Sequence, residues 1–348
     1  MRIRHAIAIT FLLILTAAVE ATAYEQVTME VDGRKRSCWV HVPEALDREK
    51  PAPLVLLFHG AGANGKWQIR YSGLAETADE GGFLVACPDG TGPLRRWLLT
   101  WNAGSCCGFA SSKDVDDVEY VRQLLDELAQ RYRVNPRRVY LAGLSNGGMM
   151  CYRLADALSD RIAAIAIVAG THLGDPPSPE RPVPVLHFHG TKDKLVPFDG
   201  GSDFRWSPQY GFPGARECAA MWAEANRCEA KPQIKKLEDE HDNDGTTVSI
   251  ERYAPRADGA EVVLYVIDGG GHTWPGRTFF SGLEVPPFVR RLSVLGRTSL
   301  EVEASPILWE FFQRYTLPKH LARENTKSEK SAAKPEPGSD SDAKAAGD

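Results

Sequence analysis

Six short apolar runs in this chain each stop at a glycine-containing turn, and helix-length amphipathic stretches separate them. Residues 55–58 end in His59-Gly60, 83–87 in Pro88-Asp89-Gly90, and 139–142 in Gly143. Residues 162–168 end in Ala169-Gly170, 183–188 in His189-Gly190, and 262–267 in Asp268-Gly269-Gly270-Gly271. Runs of this length between Gly and Pro punctuation suit buried strands. Between them, Val115, Val118, Val121, Leu125 and Leu128 recur three or four apart, which predicts a helix over 115–128 with Asp114 as its N-cap. Residues 147–158 and 307–315 read as two further helices. Alternating strand and helix predicts an α/β fold with a mostly parallel central sheet covered on both faces. Residues 25–42 read as an antiparallel hairpin at the sheet edge.

The two ends read differently from the body. Arg2, Arg4 and His5 precede an apolar stretch over 6–19, and Ala21-Thr22-Ala23 supplies a small-residue cleavage pattern. Residues 1–23 therefore read as a secretory signal, too short for a bilayer span. Residues 319–348 hold no aromatic residue and a single Leu. Such a stretch buries too little apolar surface to offset its ordering entropy and reads as a disordered tail. The expected catalytic domain is 24–318, in one unit. The formal net charge of −5 gives no basic face for nucleic acid. No membrane contact is expected once the signal is cleaved.

Seven cysteines, at 38, 87, 106, 107, 151, 218 and 228, leave an odd thiol in a secreted chain. Cys218 and Cys228 flank a helix-like stretch and are spaced to close a small loop. Cys106 and Cys107 either take distant partners or bond to each other. No CxxC pair occurs, so no structural zinc is expected, and no other metal or cofactor is called for.

The sharpest motif is Gly143-Leu144-Ser145-Asn146-Gly147, which fits G-x-S-x-G between a strand and a helix. That turn is so tight that side chains at the glycine positions would collide with neighbouring backbone, and it lifts the serine above the sheet. A serine nucleophile needs a base and an orienting carboxylate, in the chain order Ser, acid, His. Asp193 follows the strand 183–188, and His272 follows the strand 262–267 and its glycines. Asp199, Asp203 and Asp268 compete with Asp193, and Asp268 is its most serious rival. His187 and His189 read as structural. The expected oxyanion donors are the N–H groups of Asn146 and of Ala61, with Gly62 as second choice for the latter. His59 reads as a brace for that loop.

The chain resembles the secreted α/β-hydrolase esterases that include polyhydroxybutyrate depolymerases and feruloyl esterases. The matching stretches are Leu57-Phe58-His59-Gly60, Pro88-Asp89-Gly90, Trp101-Asn102-Ala103-Gly104 with Cys106-Cys107-Gly108, and Asp114-Val115-Asp116-Asp117-Val118. They continue in Gly143-Leu144-Ser145-Asn146-Gly147-Gly148-Met149-Met150, His189-Gly190-Thr191-Lys192-Asp193 and Gly270-Gly271-His272-Thr273-Trp274-Pro275-Gly276. The resemblance implies the α/β-hydrolase fold and gives Ser145, Asp193 and His272 the triad roles, in agreement with the residue-level reading. It also implies a cysteine shortly before the last strand to pair with Cys228, where this chain has Tyr253-Ala254-Pro255-Arg256. Cys218 then becomes the candidate partner. The acidic stretch 233–249 reads as a surface insertion.

The expected function is a secreted serine carboxylesterase acting on feruloyl or acetyl esters of plant cell-wall polysaccharide. The alternatives are a depolymerase of polyhydroxybutyrate or its oligomers and, in another class, an inactive carbohydrate-binding protein on the same scaffold. Trp101, Asn102 and Trp274 are expected to line the substrate site, with Phe198, Trp206, Tyr210 and Phe212 at its rim. The feruloyl reading rests on the resemblance and on the lack of a polymer-binding module after residue 318.

Overall fold

All seven residues of strand β3 (Ala52–Phe58) are buried, without alternation, so the sheet at this point is covered on both faces. The computed structural model of the chain describes residues 24–94, 97–201, 211, 213–278 and 294–321. Around β3 stand β1 (Glu25–Val31), β2 (Arg34–His41), β4 (Leu84–Pro88), β5 (Val134–Leu144), β6 (Ala164–Val168) and β7 (Val185–Gly190). Beyond them lie β8 (Gln233–Lys236), β9 (Thr247–Tyr253) and β10 (Val262–Asp268). The described strands form one sheet in the order β1-β2-β4-β3-β5-β6-β7-β10-β9-β8. Strands β4, β3, β5, β6, β7 and β10 run parallel. Both flanks are antiparallel, β1 and β2 on one side and β9 and β8 on the other.

The helices are α1 (Gly65–Ser72), α2 (Leu74–Gly81), α3 (Gly108–Ser112), α4 (Asp117–Arg131), α5 (Asn146–Ala157), α6 (Ala215–Ala225) and α7 (Ala304–Gln313). Leu54, Leu56 and Phe58 of β3 join one core with residues of α4, α5 and α6. Val55 and Leu57 point the other way, into a core built with α1, α2 and α7. Each fully buried Leu or Phe contributes about 1.5–3 kcal/mol, so two stacked cores outweigh the weak intrinsic propensity of any single strand. The fold is the expected α/β architecture, and the six punctuated runs are its parallel strands.

Three expectations shift. Helix α4 begins at Asp117 with Asp116 as N-cap, its carboxylate accepting the Glu119 N–H at 2.9 Å. Asp114 is instead a turn residue at φ 44°, accepting from the Asn102 amide at 3.2 Å. The stretch 233–249 is more than an insertion, because its two ends become β8 and the start of β9. All four residues of β8 are exposed, so this edge strand carries no apolar signal. Cys218 and Cys228 are not bonded. The Cys218 sulfur lies 2.8 Å from Thr171 Oγ1, and the Cys228 thiol donates to the Ala260 carbonyl at 3.0 Å. The disulfide among the described cysteines joins Cys106 to Cys107.

The expected signal (1–23), the tail from 322 onward, the rival acid Asp203 and the rim positions Trp206, Tyr210 and Phe212 lie outside the described residues. Leu321, assigned to the tail, packs partly buried against the second core. No helix among the described residues is long and apolar enough to cross a membrane.

Candidate active site

Ser145 stands between the end of β5 and the start of α5, at φ 55° and ψ −124°. A non-glycine residue there carries roughly 1–3 kcal/mol of backbone strain, and the surroundings hold it in place. Its N–H donates to the Val168 carbonyl at 2.8 Å, and its carbonyl accepts the Met149 N–H at 2.9 Å. The flanking glycines are steric necessities. A Cβ on Gly147 would lie 2.6 Å from the His59 carbonyl oxygen, and one on Gly143 would lie 2.7 Å from the Gly148 nitrogen. Strand β5, the loop after β3 and helix α5 therefore meet backbone to backbone.

The loop after β3 is braced from several sides. Gly90 N–H donates to His59 Nε2 at 2.9 Å, so that nitrogen carries a lone pair. His59 Nδ1 then holds the proton and donates to the Gly60 carbonyl at 2.8 Å. Burial keeps this ring neutral, lowering its pKa to about 4. The Trp101 indole N–H donates to the His59 carbonyl at 3.0 Å. The Asn146 side chain clamps the Trp101 backbone, accepting its N–H at 2.7 Å and donating to its carbonyl at 3.1 Å. Gly62 N–H is committed to the Leu99 carbonyl at 2.8 Å, which distinguishes it from exposed Ala61.

Across the sheet, the loops after β7 and β10 bring Asp193 and His272 together. His272 Nδ1 lies 2.7 Å from Asp193 Oδ2, and both residues are buried. The other oxygen of Asp193 accepts the N–H groups of Leu195 and Val196 at 2.8 and 2.9 Å. Burial pushes this carboxyl up, but attraction and hydrogen bonding to His272, with His189 and the Val196 N–H, hold it below the ordinary carboxylate value. The rivals sit elsewhere. Asp268 is exposed and accepts from the Thr191 hydroxyl at 2.7 Å, and Asp199 is exposed. The histidine loop is pinned by backbone bonds from Gly271 N–H to the Arg297 carbonyl and from His272 N–H to the Leu295 carbonyl.

Trp101, Asn102 and Trp274, expected to touch substrate, are interior residues. Trp101 and Trp274 have no exposed surface. The Trp274 indole donates to Ser305 Oγ at 3.1 Å. Asn102 donates its backbone N–H to Asp117, which is ion-paired with buried Arg36 at 2.7 Å. These side chains hold the loops in place. Phe198, expected at the rim, is buried as well. What sequence reasoning missed is apolar. Ala103, Cys106, Met149 and Val196 form a small cluster, with Leu173 and Cys107 against it. It joins the first turn of α5 to the loop carrying Asp193. A pair of antiparallel bridges, Thr91 with Thr100 and Leu94 with Trp97, lies where Leu94, Trp97 and Leu98 are exposed. The apolar trio within 94–98 was its one sequence signal. Among the described residues no group of three His, Cys, Asp or Glu is arranged to hold a metal.

Comparison with known proteins completes the picture. Residues 109–206 match the phospholipase/carboxylesterase family model. A putative esterase, NocK, from Nocardia uniformis subsp. tsuyamanensis is 34% identical over 298 residues, covering 81% of this chain and 80% of that protein. Feruloyl esterase B of Piromyces equi is 33% identical over 245 residues, covering 68% of this chain and 42% of the relative, so this chain spans under half of its length. The solved acetyl xylan esterase of Aspergillus awamori shares the fold, with a TM-score of 0.51 at 15% identity over 72% of this chain and 94% of that one. The chain belongs to the α/β-hydrolase esterases, a family of carboxylic ester hydrolases.

Proposed function

We propose that this α/β-hydrolase esterase is a secreted serine esterase acting on feruloyl or acetyl esters of plant cell-wall polysaccharide. The observation that carries the mechanism is the buried Asp193–His272 hydrogen bond between the loops after β7 and β10, with strained Ser145 directly after β5. With its Nδ1 on the carboxylate, His272 has Nε2 left for Ser145. His272 removes the Ser145 proton as the hydroxyl oxygen attacks the ester carbonyl. Asp193 holds the imidazole tautomer and stabilises the imidazolium. The Asn146 N–H at the helix start and the Ala61 N–H stabilise the oxyanion, since the Gly62 N–H is already engaged. His272 then protonates the leaving alcohol, and water attacks the acyl-enzyme to restore Ser145.

Similarity to a relative named feruloyl esterase B supports the substrate class. The basic and apolar pattern of residues 1–23 supports secretion. A second reading, hydrolysis of hydroxybutyrate oligomers, draws on the exposed Leu94, Trp97 and Leu98, which suit an apolar polyester chain.

The test is initial rates on methyl ferulate and a hydroxybutyrate trimer, with Ser145→Ala as blank. The expected outcome is a preference for ferulate and a loss of about 10⁶-fold in kcat for the variant. A preference for the trimer replaces the plant-wall reading with the polyester one. Substantial turnover by Ser145→Ala removes Ser145 from the nucleophile role.

A further inference from the structure

Two buried histidines that the mechanism above does not use lie in one hydrogen-bonded line ending at the catalytic acid. Tyr152, two turns into the helix that Ser145 begins, places its hydroxyl 3.1 Å from His187 Nδ1. His187 Nε2 lies 3.0 Å from His189 Nδ1. His189 Nε2 lies 2.8 Å from the Val196 carbonyl oxygen and 3.5 Å from Asp193 Oδ2. Residues 187 and 189 are two apart on β7, so both rings leave the same face of the strand, toward α5. None of the three side chains has more than 1% of its surface exposed.

With both rings neutral, the protons of this line have one arrangement. A carbonyl oxygen only accepts, so His189 Nε2 carries a proton. His189 Nδ1 is then a lone pair and accepts from His187 Nε2–H. His187 Nδ1 is a lone pair in turn and accepts the Tyr152 O–H. The line therefore runs Tyr152 to His187 to His189, with both rings neutral and protonated at Nε2. Burial lowers the pKa of both rings, in keeping with the neutral form.

The far end of the line grips the acid loop. Val196 is held on both sides, its N–H on Asp193 Oδ1 and its carbonyl on His189 Nε2. The same His189 N–H dipole faces Asp193 Oδ2, the oxygen that accepts from His272. We propose that His189 is a positioning residue for the esterase reaction, its tautomer fixed by the Val196 carbonyl and passed through His187 to Tyr152, so that its Nε2–H braces the acid loop and the carboxylate serving His272. This rests on the serine esterase reading. Reversing the line would turn a His189 lone pair toward the Val196 carbonyl and the Asp193 carboxylate, a repulsive contact; the Tyr152 hydroxyl, able to donate or accept, completes the line in its favoured sense.

The test combines histidine-ring nitrogen NMR on the whole protein with kinetics on p-nitrophenyl acetate. In the wild type at about pH 8, above the ordinary imidazole pKa, His187 and His189 are expected as neutral Nε2–H tautomers. Tyr152→Phe, which removes only the hydroxyl at the far end, is expected to leave His189 as the Nε2–H tautomer and to shift the His187 ring signals. His189→Ala is expected to lose about 100-fold in kcat, the scale of a small misplacement of a catalytic group. His189→Gln, which keeps a donor near the Nε2 position, is expected to recover most of that loss. An Nδ1–H or charged ring in the wild type overturns the proposal. So does unchanged kcat in His189→Ala, or a loss seen in KM alone. Wild-type turnover by Ser145→Ala would instead sink the serine esterase reading, while the tautomer spectra still judge the line.

Discussion

The two halves of the candidate site are held by different forces. The serine half is fixed by exclusion: β5, the loop after β3 and α5 approach so closely that a methyl group at Gly143 or Gly147 would meet backbone atoms. The acid–base half is fixed by attraction: Asp193 and His272 sit in a buried mesh of hydrogen bonds with His189, Leu195 and Val196. Exclusion is all or none, because backbone cannot yield locally. Attraction is graded, because each bond removed leaves others in place. Steric geometry thus sets the strained backbone of Ser145, and polar geometry sets the Asp193–His272 pair.

Substitution in the serine half makes the strongest test of this contrast. Gly147→Ala is expected to abolish ester turnover and to cost about 3 kcal/mol of stability from overpacking, read by urea denaturation. A fully active, stable Gly147→Ala protein would break the comparison at once.

In the acid–base half, Asp193→Asn keeps the shape and is expected to lower kcat by about 10⁴-fold while the protein stays folded. The same variant sharpens the comparison through pH. The native Asp193 carboxyl titrates below its ordinary value, so its contribution to stability is present above the unfolded-chain pKa of about 3.9. It is lost as pH falls through the lower folded value. The stability gap between wild type and Asp193→Asn is therefore expected to stay flat above about pH 5 and to shrink on further acidification. A gap that widens toward acid would reverse the assigned sign.

The smallest effect is expected outside both halves. Cys38, Cys87, Cys151, Cys218 and Cys228 are buried free thiols, each with its pKa raised chiefly by burial. Alkylating reagent added to the folded protein is expected to leave all five unmodified and activity unchanged, with labelling appearing in denaturant. A Cys218–Cys228 peptide in a non-reducing digest would contradict this arrangement.

The sequence made the parallel strands legible, because strands buried on both faces need unbroken apolar runs and their ends need glycine. It left β8 illegible for the opposite reason: Gln233, Ile234, Lys235 and Lys236 lie on an exposed edge, where pairing rather than burial makes the strand. The Asp193–His272 contact was not legible, because Asp193 and Asp268 both follow strands and nothing in the local sequence set one above the other. The 2.7 Å approach of His272 makes that distinction, and it depends on two loops about 80 residues apart. The aromatic wall misled because Trp101 and Trp274 look alike whether they face a ligand or a core. Their indole N–H groups, taken up by the His59 carbonyl and Ser305 Oγ, give the interior answer.

Strand β6 sends no candidate catalytic side chain upward, yet it sets the dimensions of the site. Neighbouring strands lie about 4.8 Å apart. The sheet order puts β7 two such steps from β5, and β10 three. The carboxylate thus starts about 10 Å from the serine's strand and the imidazole about 14 Å, and the glycine run 269–271 is the slack that lets His272 reach back to Asp193. The sheet works as a ruler with β6 as its blank division, and an enzyme of this design changes its reach by altering the loops while the ruler stays the same.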